Sequence, residues 1–331
     1  MATLSVPGSS QATMFRSPMF LLRRRFFISS YFLLAQPSLP LVSPIMMTTN
    51  ITARSLSRLV DIHHFTTTPI ASTQDEARRL LPLHESTDRA MAVVADIQLE
   101  GRGTHGRTWE RGTTTTTVPD GNLYMTVCVP MSKIPVTITL LPIKVAVMVA
   151  QSIQSVLTTG DADASCPTAH VHVKWPNDVL INDSKVSGTL IESEIVAEAG
   201  DTSAKSTTWL LIGIGINVAS HPDVPGARAA ASLAQFTTTA TAVPSAFDIG
   251  KQLAEDLAAW VYTADSNTEA STREGALLSS WRSMARLQEE PGYTIRDTGE
   301  TVTVQDIEAD GRLRVRGKDG TIRHLVAEYL V

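Results

Sequence analysis

The chain has 331 residues, 43% hydrophobic and 18% charged, with a formal net charge of −5 at pH 7. That is the composition of a globular protein, not of a disordered or collagen-like one, and the length suits one large domain plus a smaller one. Residues 1–60 carry six arginines, no lysine and no acid, which leaves 22 basic against 33 acidic residues in the remainder. A body that acidic is a poor general nucleic-acid binder, because phosphate affinity rests on an excess of lysine and arginine.

In chain order, residues 1–48 read as a leader. The stretch is acid-free, contains arginine and serine, is broken by prolines, and resembles an organellar transit peptide of a mitochondrion or plastid. A secretory signal is the competing reading, since Phe26 to Ala35 is apolar after Arg23-Arg24-Arg25, but that run falls short of the roughly 20 residues a bilayer requires. A start at Met46 or Met47 would leave a cytoplasmic protein.

Ser72-Thr73-Gln74-Asp75-Glu76, a capping residue with a Glu three positions on, predicts a helix start. Met91 to Ile97 predicts a strand, residues 98–121 a loop rich in Gly, Arg and Thr, and Asn122 to Val129 another strand. Ile138 to Leu157 predicts a buried core helix; Pro142, Lys144, Gln151 and Gln154 interrupt it too often for a membrane span. Val171 to Lys174 alternates as a strand. Val179 to Ile181 and Lys185 to Val196 flank Asn182-Asp183 as a hairpin. Trp209 to Ile214 predicts a buried strand, and Phe247, Ile249, Leu253, Leu257, Trp260 and Val261 recur at helical spacing.

From Tyr293 to Val331 short alternating strands with Asp-Gly turns at 310–311 and 319–320 predict a small β-barrel. The division is thus a leader over 1–48, a mixed α/β domain over 60–288 and a barrel over 289–331. Thr113 to Thr117 and the Ala/Thr-rich 227–242 read as loop insertions without function.

Cys128 and Cys166 cannot make a disulfide framework, and neither sits at CxxC spacing, which points to a reducing compartment and against a thiolate zinc site. His170 and His172 share a strand face but lack a third ligand, so they read as ordinary strand histidines. His63-His64 reads as a loop pair without a role.

Three segments could carry chemistry. Gly101-Arg102-Gly103-Thr104-His105-Gly106-Arg107-Thr108-Trp109 contains GxGxxG, but no apolar helix follows, which excludes a dinucleotide-binding turn. It reads instead as a glycine-rich loop whose backbone N–H groups and arginines meet an anion, with Trp109 as a cover; a solvated basic turn is the alternative. Lys174-Trp175-Pro176-Asn177-Asp178, followed by Lys185-Val186-Ser187-Gly188-Thr189, converges two lysines, an Asn and an Asp at one sheet end. That set suits an anionic nucleotide and its metal ion, though a hairpin with exposed lysines would look similar. Ile212-Gly213-Ile214-Gly215-Ile216-Asn217 is a strand leaving through two glycines that permit close approach of a ligand or a crossing strand.

These segments in this order resemble the biotin protein ligase family, also called holocarboxylase synthetases. Its signatures GRGRxGRxW, KWPND(I/L) followed by K(x)xGIL, and GxGxN stand here in near-complete form. Gly121-Asn122-Leu123-Tyr124 and the β-rich terminus match as well, so the resemblance covers residues 60–331. It implies an α+β fold with a mixed central sheet flanked by helices, like the catalytic domain of class II aminoacyl-tRNA synthetases, and a small C-terminal SH3-like β-barrel.

It also implies an enzyme that uses ATP and Mg²⁺ to turn biotin into biotinoyl-5'-AMP. The enzyme then passes the biotinyl group to a lysine of a biotin carboxyl carrier domain, in acetyl-CoA, pyruvate, propionyl-CoA or methylcrotonyl-CoA carboxylase. Neither step needs a protein nucleophile, which agrees with a sequence where no Ser/His/Asp or Cys/His arrangement stands out. Two rivals are a lipoate or octanoate protein ligase of the same fold, whose Arg-Arg-x-Ser-Gly-Gly-Gly loop or catalytic Cys is not found, and a non-catalytic biotin or nucleotide sensor.

Carried onto this chain, the resemblance makes Lys185 the catalytic lysine between biotin carboxylate and α-phosphate, with Arg102 and Arg107 as catalytic partners. It places Ser72, Thr73, Gln74, Gln98, Gly101, Arg102, Lys185 and Gly188 around biotin. It places Arg102, Gly103, Arg107, Trp109, Lys174, Asn177, Asp178 and Asn217 around ATP, and assigns no Mg²⁺ ligand. Three positions depart from the family pattern. Gln74 replaces a common Asn, and Thr104 replaces a basic residue, so the loop is expected to hold the adenylate less tightly and Thr104→Arg to slow its release. Ala327-Glu328-Tyr329-Leu330-Val331 replaces a C-terminal stretch ending in Arg. A DNA-binding helical domain is not expected, as too few residues precede Ser72.

Overall fold

The computed structural model describes residues 51–327 other than 57, 85, 112–118, 159–167, 198–205, 224–228, 238–242, 266, 288–292 and 296–297. The expectations for residues 1–48, Thr113 to Thr117, Cys166 and the last four residues lie outside the described residues.

An eight-stranded mixed sheet organises the chain. Its strands are β1 (Ile51–Leu56), β2 (Val60–Phe65), β3 (Ala90–Ala95), β4 (Leu123–Pro130), β5 (Val171–Lys174), β6 (Asp178–Ile181), β7 (Ser184–Ala197) and β8 (Ser206–Ile216). Their spatial order is β1-β2-β3-β4-β8-β7-β6-β5. β2 and β3 run parallel; every other ladder is antiparallel.

Alternate residues of a strand face opposite sides of a sheet. Ala92, Val94, Met125, Val127, Ile212 and Ile214 accordingly join the core beneath helices α2 (Leu141–Thr158) and α3 (Ala246–Tyr262). Met91, Val93, Cys128 and Leu211 pack on the opposite face with Ala77 and Leu80 of α1 (Thr73–Leu80). Two covered faces explain why β3 is buried along its whole length. α2 is long and apolar because its buried side chains meet the sheet; Pro142 falls in its first turn, where its missing N–H breaks no helical bond. Lys144 stands 5.2 Å over the Trp260 ring, and burial lowers its pKa.

The hairpin at Asn182-Asp183 closes as a two-residue turn, with Ile181 opposite Ser184. Both turn residues have positive φ, 51° and 74°, as a type I′ turn requires.

α4 (Ala270–Met284) precedes a second sheet of four antiparallel strands: β9 (Tyr293–Thr294), β10 (Thr301–Ile307), β11 (Leu313–Gly317) and β12 (Ile322–Leu325), ordered β12-β11-β10-β9. Where a small barrel is expected, the described residues form this small antiparallel sheet, and Gly311 and Gly320 take positive φ at the two Asp-Gly turns. Val302, Val304, Ile307, Leu313 and Val315 share the main core, and hydrogen bonds add to that packing. The Trp175 indole N–H donates to Gly311 O at 3.0 Å, and Arg282 of α4 donates to Asp306 at 2.6 Å and to Ile307 O at 3.1 Å.

Three sequence expectations change. Ser72 caps α1, its hydroxyl accepting from Gln74 N at 3.2 Å, but Glu76 pairs with Arg79 instead of closing a capping box. His63 and His64 lie in β2, not a loop; buried His64 bonds Asp96 at 2.7 Å and stacks on Phe247 at 4.0 Å. Part of the Ala/Thr-rich stretch is structural, because residues 229–233 pair with the backbones of Lys185 and Asn217.

Candidate active site

A cleft of about 980 Å³ opens on the α1 side of the sheet. Its floor is glycine. Gly188 of β7 and Gly215 of β8 are ladder partners, and Gly213 shares the Gly215 face two residues earlier. A side-chain carbon would stand 2.5 Å from Trp109 Cε2 at Gly215, 2.7 Å from Gln74 Nε2 at Gly213, and 3.0 Å from both Lys185 Nζ and Trp109 Cζ3 at Gly188. The glycines of GxGxN therefore make room for cleft side chains.

The start of α1 supplies one wall. Because Ser72 takes the cap, the Thr73 hydroxyl is left to face inward. The Thr73 N–H and hydroxyl donate to Gln98 Oε1 at 2.8 and 3.2 Å, and Thr126 donates to Thr73 Oγ1 at 2.9 Å. Gln74 Nε2 donates to Leu190 O and Leu211 O, bridging β7 and β8. Its Oε1 is buried with no hydrogen-bond donor among the described residues. An acceptor buried beside a cleft without a donor is costly, on the order of 1–3 kcal/mol, unless a ligand or water supplies one.

The glycine-rich segment is an ordered arm. Trp109 N–H donates to Gly101 O at 2.8 Å, Gly103 N–H donates to Arg107 O at 2.7 Å, and Arg102 pairs with Thr108 between them. His105 and Gly106 turn the tip with φ of 59° and 68°. Gly101 is the one predicted site residue that does not line the cleft. It acts from below, where a side chain would stand 2.5 Å from Trp109 O. Arg107 donates to Thr104 O at 3.0 Å and Thr104 Oγ1 at 2.7 Å, so buried Thr104 is its anchor and not a gap in a basic surface. Arg102 forks onto Asp75 at 2.7 and 2.9 Å, and the hydrogen bond from Arg102 holds the Asp75 carboxyl below the usual range.

The far wall is the corner between β5 and β7. Asp178 lies 2.6 Å from Lys185 Nζ and 3.9 Å from Lys174 Nζ, so one carboxylate faces two ammonium groups. Lys185 also stands 5.4 Å over the Trp109 ring, and Lys174 stands 6.0 Å over Tyr293 of β9. Asn177 and Asn217 line the cleft too, yet each amide N–H₂ serves the backbone. Asn177 donates to Thr189 O at 2.6 Å, and Asn217 donates to Ala231 O at 3.1 Å. They fix the corner and the 229–233 segment. Cys128 is buried in the α1-side core away from the cleft. Among the described residues no group of three His, Cys, Asp or Glu could hold a metal.

Sequence reasoning missed one buried network. Tyr124 lines the cleft and donates to Asp120 at 2.5 Å, and Arg111 lies 3.6 Å from the same carboxylate. Burial, then the Asp120 charge, raises the Tyr124 pKa and keeps the phenol protonated. The signal was faint, since Asp120 and Arg111 sit in a loop with no spacing rule. Thr294 of β9 also reaches the cleft, a contribution that no motif announced.

Residues 69–203 match the model of the biotin/lipoate A/B protein ligase family. The biotin–[acetyl-CoA-carboxylase] ligase of Paracoccus denitrificans is 31% identical over 257 residues, covering 75% of this chain and 92% of that protein. The chain belongs to the biotin protein ligase family. A shorter match, 33% identical over 159 residues, joins it to the bifunctional ligase/repressor BirA of Bacillus subtilis and covers 46% of this chain and 40% of that protein. Among solved structures, the biotin protein ligase from Leishmania major in complex with biotin is 29% identical with a TM-score of 0.50, covering 81% of this chain and 98% of its own. The biotin protein ligase from Aquifex aeolicus in complex with biotin and ATP shares the fold: 21% identity, TM-score 0.53, covering 80% and 96%. The mixed sheet with its small C-terminal sheet is thus the biotin protein ligase fold, and the relatives just named are ligases.

Proposed function

We propose that this chain is an ATP-dependent biotin protein ligase. In the first step a carboxylate oxygen of biotin attacks the α-phosphorus of ATP. A C–O–P linkage forms, the bond from the α-phosphorus to the bridging oxygen breaks, and pyrophosphate leaves. In the second, the amine of a carrier-domain lysine attacks the acyl carbon, gives up a proton and forms the amide, and AMP departs. The enzyme's part is positioning and charge stabilisation.

Lys185 offers a compact charge to the carboxylate and the α-phosphate, two anions that otherwise repel each other. Arg102 and Arg107 hold phosphate and carboxylate oxygens from the arm, and Trp109 packs on the adenylate. Ser72, Thr73 and Gln98 meet the ureido ring, and Lys174, Asn177, Asp178 and Asn217 form the nucleotide end.

The observation that carries biotin over lipoate is Gln74 Oε1, a buried acceptor with no donor among the described residues. A ureido ring brings N–H donors to such a group and a dithiolane ring brings none, and a site built for a donor rejects the analogue lacking it by several orders of magnitude. Pyrophosphate release with biotin and with lipoate as the acid tests this directly. Release with lipoate but not biotin would make the chain a lipoate ligase, and release with neither would leave a sensor.

Mg²⁺ enters this scheme with the nucleotide. Glu110 and Asp178 are the carboxylates lining the cleft, and Asp178 already faces two lysines. That donor set does not fit a resident metal site, whereas Mg²⁺ is commonly held by substrate phosphates with one or two carboxylates. The partner is a biotin carboxyl carrier domain of the acetyl-CoA, pyruvate, propionyl-CoA or methylcrotonyl-CoA carboxylase class. The arginine-bearing, acid-free residues 1–48 support delivery to a mitochondrion or plastid. Imaging of fusions with and without them tests it, and a diffuse full-length fusion would refute it.

A further inference from the structure

Arg102 reaches the cleft rim already bound. Its two Nη atoms donate to both Asp75 oxygens at 2.7 and 2.9 Å, and one of them lies 3.4 Å from Glu192 Oε2. Arg78, three residues after Asp75 on α1, touches the same acids at 3.2 and 2.6 Å and Glu194 at 3.1 Å. Two guanidinium groups are therefore shared among three carboxylates. The backbone of Arg102 is held separately, by its pairing with Thr108 in the arm, so its side chain can change partner while the arm stays formed.

We propose that Asp75 and Glu192 set the affinity of the site for its anionic ligand by competing with it for Arg102. The proposal rests on the reading of Arg102 as an anion-holding residue. A guanidinium fork fits carboxylate and phosphate alike. Ligand oxygens therefore replace the Asp75 oxygens on the same donor edge, and the net gain is the difference between two similar interactions. When Arg102 turns to the ligand, Arg78 still faces Asp75 and Glu192, so neither carboxylate is left without a counter-ion. This makes the exchange reversible, and it weakens binding without touching the phosphoryl step.

The test compares wild type with Asp75→Asn, Glu192→Gln and the double variant, each checked by thermal melting. Part-exposed ion pairs of this kind predict a KM for ATP, and a release rate for biotinoyl-AMP, about two- to fivefold lower in Asp75→Asn with kcat unchanged. Glu192→Gln, at the longer contact, changes less. Unchanged constants in all three variants would overturn the proposal. So would a raised KM with lowered kcat, since the acids would then be holding Arg102 in its working pose. AMP binding measured by calorimetry reads the same competition without turnover, and tighter binding by the variants is expected. A wild type that binds AMP but releases no pyrophosphate with biotin would sink the proposed function and leave this inference to stand or fall on the calorimetry.

Discussion

Gly188 and Gly215 face each other across the β7–β8 ladder, and the Trp109 indole lies against both. The cover of the site is therefore seated on two absences of side chain. A Cβ at Gly215 would meet three indole atoms between 2.5 and 2.9 Å, and a rigid ring cannot yield that much without leaving. Gly215→Ala should displace the indole and speed biotinoyl-AMP release about three- to tenfold, the scale of a lost ring contact. Stopped-flow dilution of preformed complex measures this; an unchanged off-rate would mean that the indole does not cover the adenylate. Gly188→Ala should be milder, because one of its two close neighbours is the flexible end of Lys185.

Lys185→Ala should reduce adenylate formation by about a hundred- to a thousandfold, the usual cost of removing one charge-stabilising donor. The fold should hold, because Asp178 keeps Lys174 as a counter-ion at 3.9 Å and the strand is held by its ladders. Burst measurement of pyrophosphate with a circular-dichroism melt separates the two effects. Normal adenylate formation would remove Lys185 from the reaction.

Thr104 reverses the expectation drawn from the family pattern. Arg107 is anchored on the Thr104 hydroxyl and carbonyl, and the side chain is buried. Thr104→Val, losing one hydrogen bond to a charged group, should hasten adenylate release about ten- to a hundredfold, with Thr104→Ser near wild type. Thr104→Arg should also hasten release, since a long cation cannot keep the buried position. Slower release from that variant would restore the reading of position 104 as a missing charge.

Asp306 gives a pH test of the second sheet. Burial raises its pKa, but the Arg282 hydrogen bond, the Ile307 N–H and the charges of Arg282 and Arg314 outweigh that, so the carboxyl lies below its usual value. A carboxylate whose folded pKa is depressed adds stability that is fully present above its unfolded pKa, about 4. The contribution is lost as pH falls through the folded value. Asp306→Asn should therefore lower the melting temperature at pH 7, and the gap to wild type should close below about pH 4. A gap that stays constant with pH would mean that the ion pair does not anchor the sheet.

What the sequence revealed follows from how local each signal is. The Asn182-Asp183 turn, α2, α3 and the Asp-Gly turns were legible because turn chemistry and long apolar periodicity are local. β2 was not, since Asp61, His63 and His64 hide its alternation, and Asp61 and His64 find their partners, Arg89 and Asp96, far along the chain. α4 was missed because Leu277, Leu278 and Trp281 are its only buried residues among polar ones. In the cleft, the three motifs brought nearly every expected residue to one place. The contacts that occupy Arg102, Asn177 and Asn217 come from other elements and left no trace in spacing, while Arg107 is held within its own loop by Thr104, a pairing that no spacing rule announces.

The hydrogen bond from Trp175 to Gly311 has a genetic consequence. The tryptophan belongs to the KWPND motif and the glycine to a turn of the C-terminal sheet, while Tyr293 of that sheet lies beneath Lys174. A stop codon just after α4 would leave all three signature motifs intact in the sequence and still take away a support of the Lys174–Asp178 corner. Alleles of that kind should score as loss of function, although a reader checking only the motifs would pass them as sound.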